Sequence, residues 1–311
     1  MTPNILDLKF SRLVVGTVQF GLPYGVANRS GQPSFDEVCR ILEIAVAHGA
    51  TTLDTAAAYG QSEAVLGRAL RQIGALERVI IVSKVRHVGA MEEPRTPENV
   101  RRWIRGSVEA SLAHLGIESL PVCLFHHPAD IPHMDALLAL KAEELVQHAG
   151  VSVSEPADMG RVLATPGVEA IQLPASMLDQ RILRAGDLAR AAAAGMAVFV
   201  RSIYLQGLLV MPEESIPAAL QEVIPARRAL QRIADEAGTS LPELALRYGL
   251  ALPGATGVLT GVETAAQMRE NVRVAGRGPL PPDVVRAIDE AVPDLAGSIV
   301  LSPWLWPNPS R

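Results

Sequence analysis

The sequence predicts an α/β fold in which eight parallel strands alternate with helices and close into a (β/α)8 barrel. Short apolar runs alternate with helical patterns along the whole chain, and no repeat of roughly 20 to 50 residues is visible. Three of the runs end in an ionisable residue, namely Asp54, Lys84 and His126. The carboxyl ends of parallel strands meet on one face of a barrel, so these side chains are expected to lie close together. We expect one domain over residues 1–311, because such barrels often exceed about 250 residues.

Eight apolar runs supply the predicted strands. They cover residues 12–17, 51–54, 79–84, a fourth run that ends at His126, a fifth within 144–154, and then 168–173, 196–200 and 256–260. The longest irregular segment follows the seventh strand, from residue 202 to about 224. Long ordered loops in compact barrels are usually functional, so this segment is expected to serve the site.

Apolar spacing and capping patterns predict where the helices begin and end. A helix from Phe35 carries apolar residues at the i, i+3, i+4, i+7 spacing, and Gly49 follows it. Thr96 followed by Pro97 opens another helix, which Gly116 ends.

Two further helix starts are predicted from side chains that can accept hydrogen bonds from the backbone. Ser62 is expected to cap the helix after the second strand, with Glu63 in its first turn. Ser240 and Glu243 are expected to form a capping box at the start of a later helix.

Composition limits the classes of partner. The net charge of −5 gives no basic field to attract nucleic acid or acidic lipid, so a small molecule is the expected partner. Cys39 and Cys123 lie in apolar patterns, which indicates buried thiols in a reducing compartment such as the cytoplasm. Residues 1–10 do not have the pattern of a secretion signal, and no apolar run approaches the roughly 20 residues needed to cross a bilayer.

Several ordered motifs resemble the aldo/keto reductase superfamily over nearly the whole chain. They are Leu53-Asp54-Thr55-Ala56 with Tyr59-Gly60 and Ser62-Glu63, then Ser83-Lys84, Ser111-Leu112 with Leu115-Gly116, His126 with Pro128, and Thr260-Gly261 with Glu270-Asn271. The resemblance implies a (β/α)8 TIM barrel that reduces an aldehyde or ketone to the alcohol with a nicotinamide cofactor. It also implies that Asp54, Tyr59, Lys84 and His126 are the catalytic residues.

The chemistry of these four residues suits carbonyl reduction. A phenol has a pKa of about 10, so Tyr59 is protonated at neutral pH and can act as the general acid. Lys84 is expected to lower the pKa of Tyr59, while Asp54 keeps Lys84 charged and oriented. His126 is expected to donate a hydrogen bond to the carbonyl oxygen.

The resemblance also implies an extended cofactor across the mouth of the barrel. The carboxamide would be held by Ser152 or Ser154 with Gln172, and the pyrophosphate would be surrounded by Gln206, Gly207 and Leu208. The adenosine would be approached by Gly261, Val262, Glu270 and Asn271. The predicted cofactor site is completed by Gly16, Thr17, Asp54, Arg201, Ser202 and Gln267. NADPH is the predicted cofactor, with NADH not excluded, because Arg269 and Arg273 are close to Gln267, a position near the adenosine ribose.

Arg201 stands where many relatives stack an aromatic ring on the nicotinamide. A guanidinium plane can also stack, and its charge is predicted to disfavour the cationic oxidised ring relative to the neutral reduced one. A structural salt bridge is the alternative role for this arginine.

The residues of the substrate pocket are predicted less precisely than those of the cofactor site. Its candidate residues are Tyr24 and Asn28 in the first loop, Arg86 and His87 after the third strand, and the tail Trp304-Leu305-Trp306. These polar side chains suggest a hydroxylated, sugar-like carbonyl compound. The oligomeric state is left open.

Two other functions compete with the reductase. One is a barrel of the same fold that binds the nicotinamide as a sensor or partner subunit, without significant turnover. The other is a metal-dependent hydrolase that uses His126 and His127. Adjacent strand residues point to opposite faces and no further histidine stands at a metal-ligand spacing, so no metal site is predicted.

Overall fold

The computed structural model describes residues 4–28 and 30–306 and shows a closed barrel of eight parallel strands. The strands are β1 Leu13–Gly16, β2 Thr52–Asp54, β3 Ile80–Val85, β4 Leu120–Phe125, β5 Val146–Ser152, β6 Ala170–Pro174, β7 Ala197–Arg201 and β8 Gly257–Gly261. Each strand pairs with its neighbour in sequence, and β1 pairs with β8 to close the sheet. The predicted (β/α)8 barrel is therefore confirmed.

Twelve α-helices lie in the described part of the chain. They are α1 Val18–Gly21, α2 Phe35–Ala47, α3 Ser62–Gln72, α4 Pro97–Leu115, α5 Met134–Ala142, α6 Met159–Ala164, α7 Arg181–Arg184, α8 Asp187–Ala193, α9 Ile224–Glu236, α10 Leu241–Ala251, α11 Ala265–Ala275 and α12 Pro282–Ala291. The segment between β7 and α9 contains only short 3₁₀ turns, as the sequence predicted for a long irregular loop.

Apolar side chains are buried in two separate regions. The larger region lies between the sheet and the surrounding helices, and the smaller one fills the inside of the barrel with residues such as Val14, Val82 and Phe199. Ile5 belongs to this inner region and the partly buried Phe10 packs against it, with the Phe10 ring meeting the Phe199 ring edge-on at a centroid distance of 5.1 Å. Since Phe10 precedes β1, the N-terminal segment packs against the end of the barrel opposite the catalytic strand ends.

Helix α4 has the boundaries that its sequence predicts. The Thr96 hydroxyl accepts a hydrogen bond from the backbone N–H of Asn99 at 3.2 Å, and Pro97 occupies the first turn. Gly116 ends the helix with a φ of 72°, a left-handed conformation that costs glycine little.

The predicted cap at Ser62 is wrong. Gln61 is the residue that precedes α3, and Ser62 lies inside the first turn, where its hydroxyl donates to the carbonyl of Thr17 at 2.7 Å. Ser62 is fully buried beneath the loop after β1, so its hydroxyl forms a tertiary hydrogen bond instead of capping the helix.

Only one of the two hydrogen bonds of the predicted capping box at α10 is formed. Ser240 accepts from the backbone N–H of Glu243 at 3.3 Å, but the Glu243 carboxylate turns towards Arg273 at 3.0 Å and Arg277 at 2.6 Å. A hydrogen bond from a charged guanidinium is stronger than one from a neutral backbone N–H, which explains why the Glu243 carboxylate binds the two arginines and not the backbone. A complete capping box instead stands at α11, between Thr264 and Gln267.

Both cysteines, Cys39 and Cys123, are buried and unpaired, as the sequence predicted. Burial raises the pKa of the Cys123 thiol, so it behaves as a small apolar group. None of the helices in the described ranges combines the length and the apolar character needed to cross a lipid bilayer.

Candidate active site

Three neighbouring strands bring ionisable groups to the same end of the barrel. Asp54 is the last residue of β2, Lys84 lies near the end of β3, and His126 follows β4 directly. Parallel pairing of β2 with β3 and of β3 with β4 aligns these ends. The prediction that the three residues gather at one face is therefore met by the geometry.

Lys84 and Asp54 form a buried ion pair. The Lys84 Nζ donates to both carboxylate oxygens of Asp54 at 2.7 Å and to the carbonyl of Thr55 at 2.9 Å. The Gln172 side-chain amide donates to Asp54 Oδ2 at 2.7 Å. The bond between Gln172 and Asp54 was not predicted, and the only sequence signal was the position of both residues at strand ends.

Tyr59 is held by a loop that packs tightly against the segment after β1. A Cβ added to Gly21 would lie 1.9 Å from the Tyr59 carbonyl oxygen, and one added to Gly60 would lie 2.6 Å from the Gly21 carbonyl oxygen. Gly60 also has a φ of 56°. Only glycine fits at these two positions, and this close contact fixes the loop that carries the phenol.

Thr17 fixes the neighbouring backbone. Its N–H and its hydroxyl both lie 2.9 Å from the carbonyl oxygen of Asp54, and its hydroxyl lies 2.8 Å from that of Ser62. Thr17 is fully buried and Gly16 is buried beside it, so these two predicted cofactor residues support the loop below the rim.

The Tyr59 ring lies between the ammonium and the imidazole. Lys84 Nζ is 5.1 Å from the ring centroid of Tyr59, and the His126 ring meets the Tyr59 ring edge-on with a centroid distance of 5.5 Å. The four predicted catalytic residues therefore form one connected group, from Asp54 through Lys84 and Tyr59 to His126.

The pKa of Tyr59 differs from the expectation. Burial raises the pKa of the phenol, the charge of Asp54 raises it further, and only Arg201 opposes them. The predicted lowering by Lys84 is not found, because the ammonium donates to both oxygens of Asp54 and the effect of the carboxylate on the phenol is the larger one. Tyr59 is thus a protonated hydrogen-bond donor throughout the neutral pH range.

Lys84 itself loses basicity by burial, which lowers its pKa, while the contact with Asp54 opposes that shift. The two effects have known causes: desolvation disfavours the ammonium, and a carboxylate within hydrogen-bond distance favours it.

His126 is a neutral imidazole at physiological pH. Burial lowers its pKa from 6.5 to about 3, and the positive charges of Lys84 and Arg201 add to the shift, followed by smaller effects of His127 and His87. A neutral imidazole can donate one N–H hydrogen bond but is a weak proton donor, which separates its role from that of Tyr59.

This pKa predicts a specific loss of stability in acid. Between about pH 6.5 and pH 3 the unfolded chain protonates His126 and the folded chain does not, so stability falls as the pH falls through this window. Replacing His126 with Asn removes that proton, and the slope of unfolding free energy against pH should become shallower by up to about 1.4 kcal/mol per pH unit. Urea unfolding at several pH values between 4 and 6.5 measures the slope in both proteins. Equal slopes contradict a depressed pKa at this position.

Arg201, the last residue of β7, is held by neutral partners. Its guanidinium donates to the Val153 carbonyl at 2.9 Å, to the Ser154 hydroxyl at 3.0 Å and to the Ser202 hydroxyl at 3.1 Å. The ion pairs found among the described residues do not include Arg201. The alternative of a structural salt bridge is therefore not supported, and the charge of Arg201 acts instead on Tyr59 and His126.

Other predicted cofactor residues also lie at this end of the barrel. Ser152 ends β5 and is buried, Ser154 follows it, and Gln172 lies on the adjacent β6. Register pairing sets Ser152 opposite Gln172. Ser154 contacts Arg201, Gln172 contacts Asp54, and Ser152 lies opposite Gln172, so the three side chains form one polar group beside the ion pair.

The loop after β7 has an unusual backbone. Ser202, Leu205 and Gln206 have φ values of 65°, 44° and 53°, and Gly207 has a φ of 93°. Left-handed conformations at residues other than glycine cost free energy and cluster at functional sites. A Cβ on Gly207 would lie 2.4 Å from the Ala27 side chain, so the loop after β1 crosses directly over this turn. Leu208 is buried behind it.

The connection from β8 to α11 closes the ring of predicted cofactor residues. Gly261 is exposed, Val262 is buried, and Asn271 is buried on α11. A Cβ on Gly261 would lie 2.5 Å from the Gln19 amide nitrogen, so Gln19 packs against this glycine. Gln19 was not predicted as a site residue.

The predicted substrate residues divide into two groups. The Asn28 amide donates to the carbonyl groups of Tyr24 and Gly31 and is therefore occupied within its own loop. Trp306 is buried, and its indole N–H donates to the Ile299 carbonyl at 2.7 Å, whereas Trp304 is exposed. Asn28 and Trp306 therefore stabilise the local fold.

Tyr24 and His87 remain near the catalytic residues. Tyr24 is 38% exposed, but desolvation of its hydroxyl raises its pKa to about 12, with Tyr59 adding to the shift and Arg201 opposing it. His87 Nδ1 lies 2.9 Å from the buried carboxylate of Asp130, and the His87 and His127 rings are 4.7 Å apart. Within the described ranges, no three His, Cys, Asp or Glu side chains meet as a possible metal site.

Comparison with known proteins agrees with this geometry. A sequence model described as the aldo/keto reductase family matches residues 12–293. The chain is 27% identical to a 6-dehydroglucose reductase of Agrobacterium fabrum, over 84% of this chain and 88% of that protein. It is 25% identical to an NADH-specific methylglyoxal reductase of Escherichia coli, over 86% of this chain and 90% of that one.

A solved structure shares the fold. An aldo-keto reductase from Bacillus halodurans, in its holo form, superposes with a TM-score of 0.76 at 24% identity and covers 92% of this chain and 94% of its own. The family match spans most of the barrel, including every strand that carries a predicted catalytic residue. The chain therefore belongs to the aldo/keto reductase family.

Proposed function

We propose that the chain reduces an aldehyde or ketone to the corresponding alcohol with a nicotinamide cofactor, and that Tyr59 is the general acid. The observation that supports this most directly is the contact of Tyr59 with both the Lys84–Asp54 ion pair and His126 at the rim of the barrel. A bound reduced nicotinamide supplies the hydride for the carbonyl carbon. The protein supplies the proton and positions the oxygen.

Each catalytic side chain has a separate task. The Tyr59 hydroxyl donates its proton to the carbonyl oxygen as negative charge develops there. His126, neutral because of its low pKa, donates an N–H hydrogen bond to the same oxygen and fixes its position. Arg201 is the cation that favours the phenolate left on Tyr59, since it is the group that lowers the pKa of this phenol.

The Lys84–Asp54 pair sets the electrostatics of the site. It is buried, and it fixes the end of β3 to the backbone of Thr55, which begins the loop to Tyr59. Preorganised charges of this kind need no rearrangement at the moment of reaction.

The polar group around Gln172 fits a carboxamide. Gln172 donates through its amide nitrogen to Asp54, and an amide can accept through its oxygen at the same time. Ser154 accepts from Arg201 and can still donate its own hydroxyl proton. These residues can therefore bind both the N–H and the carbonyl group of a nicotinamide, and the strained turn at Gln206 and Gly207 can present main-chain N–H groups to the pyrophosphate.

A hydroxylated carbonyl compound is the proposed substrate class. Tyr24 follows Gly21, which packs against the backbone of Tyr59, and the histidine pair at His87 and His127 lies beyond His126. Phenol and imidazole groups suit hydroxyl partners. The relative from Agrobacterium fabrum is named for a sugar-derived carbonyl substrate, which is consistent with this class.

The enzyme assay tests a panel of small aldehydes, ketones and open-chain sugars with NADH and with NADPH. The loss of the absorbance of the reduced nicotinamide measures turnover. Consumption of cofactor that depends on the carbonyl compound supports the proposal. Cofactor binding without turnover on any compound would instead support the sensor or partner-subunit alternative, which uses the same fold.

Arg201 gives a separate prediction about the direction of the reaction. Its charge beside the nicotinamide position should disfavour the cationic oxidised ring, so Arg201→Tyr should tighten binding of the oxidised cofactor relative to the reduced one by about fivefold. This corresponds to roughly 1 kcal/mol, the interaction of two unit charges about 4 Å apart in a water-like medium. Fluorescence titrations with both cofactor forms measure the ratio.

Arg78→Tyr is the matched control for this ratio. Arg78 is exposed in the turn before β3, at the other end of the barrel, and its replacement should leave the ratio unchanged. If Arg201→Tyr behaves like Arg78→Tyr, the charge of Arg201 does not act on the ring.

A further inference from the structure

Two carboxylates, those of Glu37 and Glu263, lie at the start of helix α11. The backbone N–H of Ala265, at its first position, donates to Glu37 of α2 at 2.6 Å. Glu263 lies just before the helix, and Glu270 lies on its exposed surface. The N-terminus of a helix is ordinarily a favourable place for a phosphate, because its free N–H groups and its dipole attract anions. Here the protein places its own anion, Glu37, on the first of these N–H groups, and Arg40 of α2 pairs with that carboxylate.

The remaining donors at this helix start are also used by the protein. Gln267 N donates to the Thr264 hydroxyl at 3.2 Å, and the N–H groups of Glu263 and Thr264 donate to the Gln267 amide oxygen at 2.6 and 3.1 Å. The Gln267 amide nitrogen donates to the Glu263 carboxylate at 2.7 Å. A phosphate at this position would have to displace these bonds and approach Glu263.

The two arginines that led the sequence to predict NADPH both act on carboxylates of the protein itself. Arg273 donates to Glu270 at 2.7 Å and to Glu243 at 3.0 Å, so its charge is already balanced. Arg269 lies two residues from Gln267, and helix positions two apart do not face each other. Its charge acts on Glu37, whose pKa is lowered mainly by the Ala265 N–H and then by Arg40, with Arg269 adding to the effect.

Uncharged polar groups are available beside the same connection. The Gln19 amide oxygen and the Thr260 hydroxyl are buried and have no hydrogen-bond partner in the described part of the chain. Gln19 packs against Gly261, the residue after Thr260. A buried polar atom without a partner is unfavourable, so a bound molecule with hydroxyl or amine groups would be favoured here.

We propose that the chain prefers NADH to NADPH and that Glu263 sets this preference. The inference depends on the proposed function, with the adenosine end of the cofactor beside the connection between β8 and α11. The carboxylate of Glu263 accepts a hydrogen bond from the ribose 2′-hydroxyl of NADH, whereas it repels the 2′-phosphate of NADPH. In dinucleotide-binding folds of another class, an acidic residue beside the ribose makes the same distinction.

The experiment compares dissociation constants for NADH and NADPH, measured by fluorescence titration, in the wild type and in Glu263→Gln. In the wild type, NADH is expected to bind at least tenfold more tightly than NADPH. Glu263→Gln removes the negative charge and keeps the shape, so NADPH should bind at least threefold more tightly than in the wild type while NADH changes little. Glu263→Arg should reduce the preference further or reverse it.

Glu77→Gln is the matched control, since Glu77 is exposed in the turn before β3 at the opposite end of the barrel and the change in net charge is the same. Its ratio of the two constants should equal that of the wild type. Tighter or equal binding of NADPH by the wild type overturns the proposal, as does an unchanged ratio in Glu263→Gln. If neither nucleotide binds to the wild type, the proposed reductase function fails as well, which distinguishes the two failures.

Discussion

Replacing Tyr59 with Phe is expected to lower kcat for carbonyl reduction by about 10²–10⁴-fold, the usual contribution of a general acid. Phe keeps the ring that contacts His126 and Lys84, so only the hydroxyl proton is lost. The dissociation constant of the nicotinamide and the melting temperature should remain close to those of the wild type. Steady-state kinetics with the best carbonyl compound, together with a cofactor titration, measure the effect.

Tyr248→Phe is the matched control for this substitution. Tyr248 is buried on α10, and its hydroxyl donates to Asp289 at 2.7 Å, away from the catalytic strand ends. Its loss should cost about 1 kcal/mol of stability and leave kcat unchanged. If Tyr59→Phe retains the activity of the wild type, the proton comes from another group, and the assignment of Tyr59 is wrong.

Replacing Lys84 with Met is expected to have the largest effect on stability. Breaking a buried ion pair by removing one partner costs about 3–5 kcal/mol, because the remaining charge is buried without compensation. Asp54 would remain beside the Tyr59 phenol, where its charge already raises the pKa of that group. We expect at least a hundredfold loss of kcat, in line with the typical contribution of acid–base catalysis. Urea unfolding and steady-state kinetics measure the two effects separately.

Two further variants make the interpretation specific. The double variant Asp54→Asn with Lys84→Met should be more stable than Lys84→Met alone, because no buried charge is then left unpaired. Lys141→Met removes the partly exposed ion pair of Lys141 with Glu169, and should cost only about 0–1 kcal/mol. If Lys84→Met is no more destabilising than Lys141→Met, the buried pair does not stabilise the fold.

Local sequence patterns predicted the elements whose boundaries depend on local contacts. Thr96, Pro97 and Gly116 define α4 because capping and the left-handed glycine act within one turn of chain. The same reasoning was wrong at Ser62 and incomplete at Glu243. In both cases a partner distant in sequence, Thr17 or Arg277, was the better hydrogen-bond partner, and a local pattern contains no information about such partners.

The electrostatics of the site likewise depend partly on what the sequence predicts and partly on contacts between distant residues. The sequence predicts Asp54, Tyr59, Lys84 and His126 in one place, since strand ends of a parallel barrel must meet. It does not predict that Gln172 donates to Asp54, or that Arg201, instead of Lys84, lowers the pKa of Tyr59. Those effects depend on burial and on distances of a few ångströms between strands, and both change with small shifts in packing.

By itself, the sequence determined the alternation of strands and helices, the closed barrel and the strand ends that carry Asp54, Lys84 and His126, because hydrophobic periodicity and chain order are properties of the sequence. Only the tertiary structure decided which partner each charged group has. Glu263 and Arg273 illustrate this: both are near the predicted adenosine position in sequence, but Arg273 is paired with Glu270 and Glu243, and Glu263 is held by Gln267. The physical reason is that electrostatic interactions depend on distance and solvent exposure in three dimensions, which neighbouring positions in the chain do not specify.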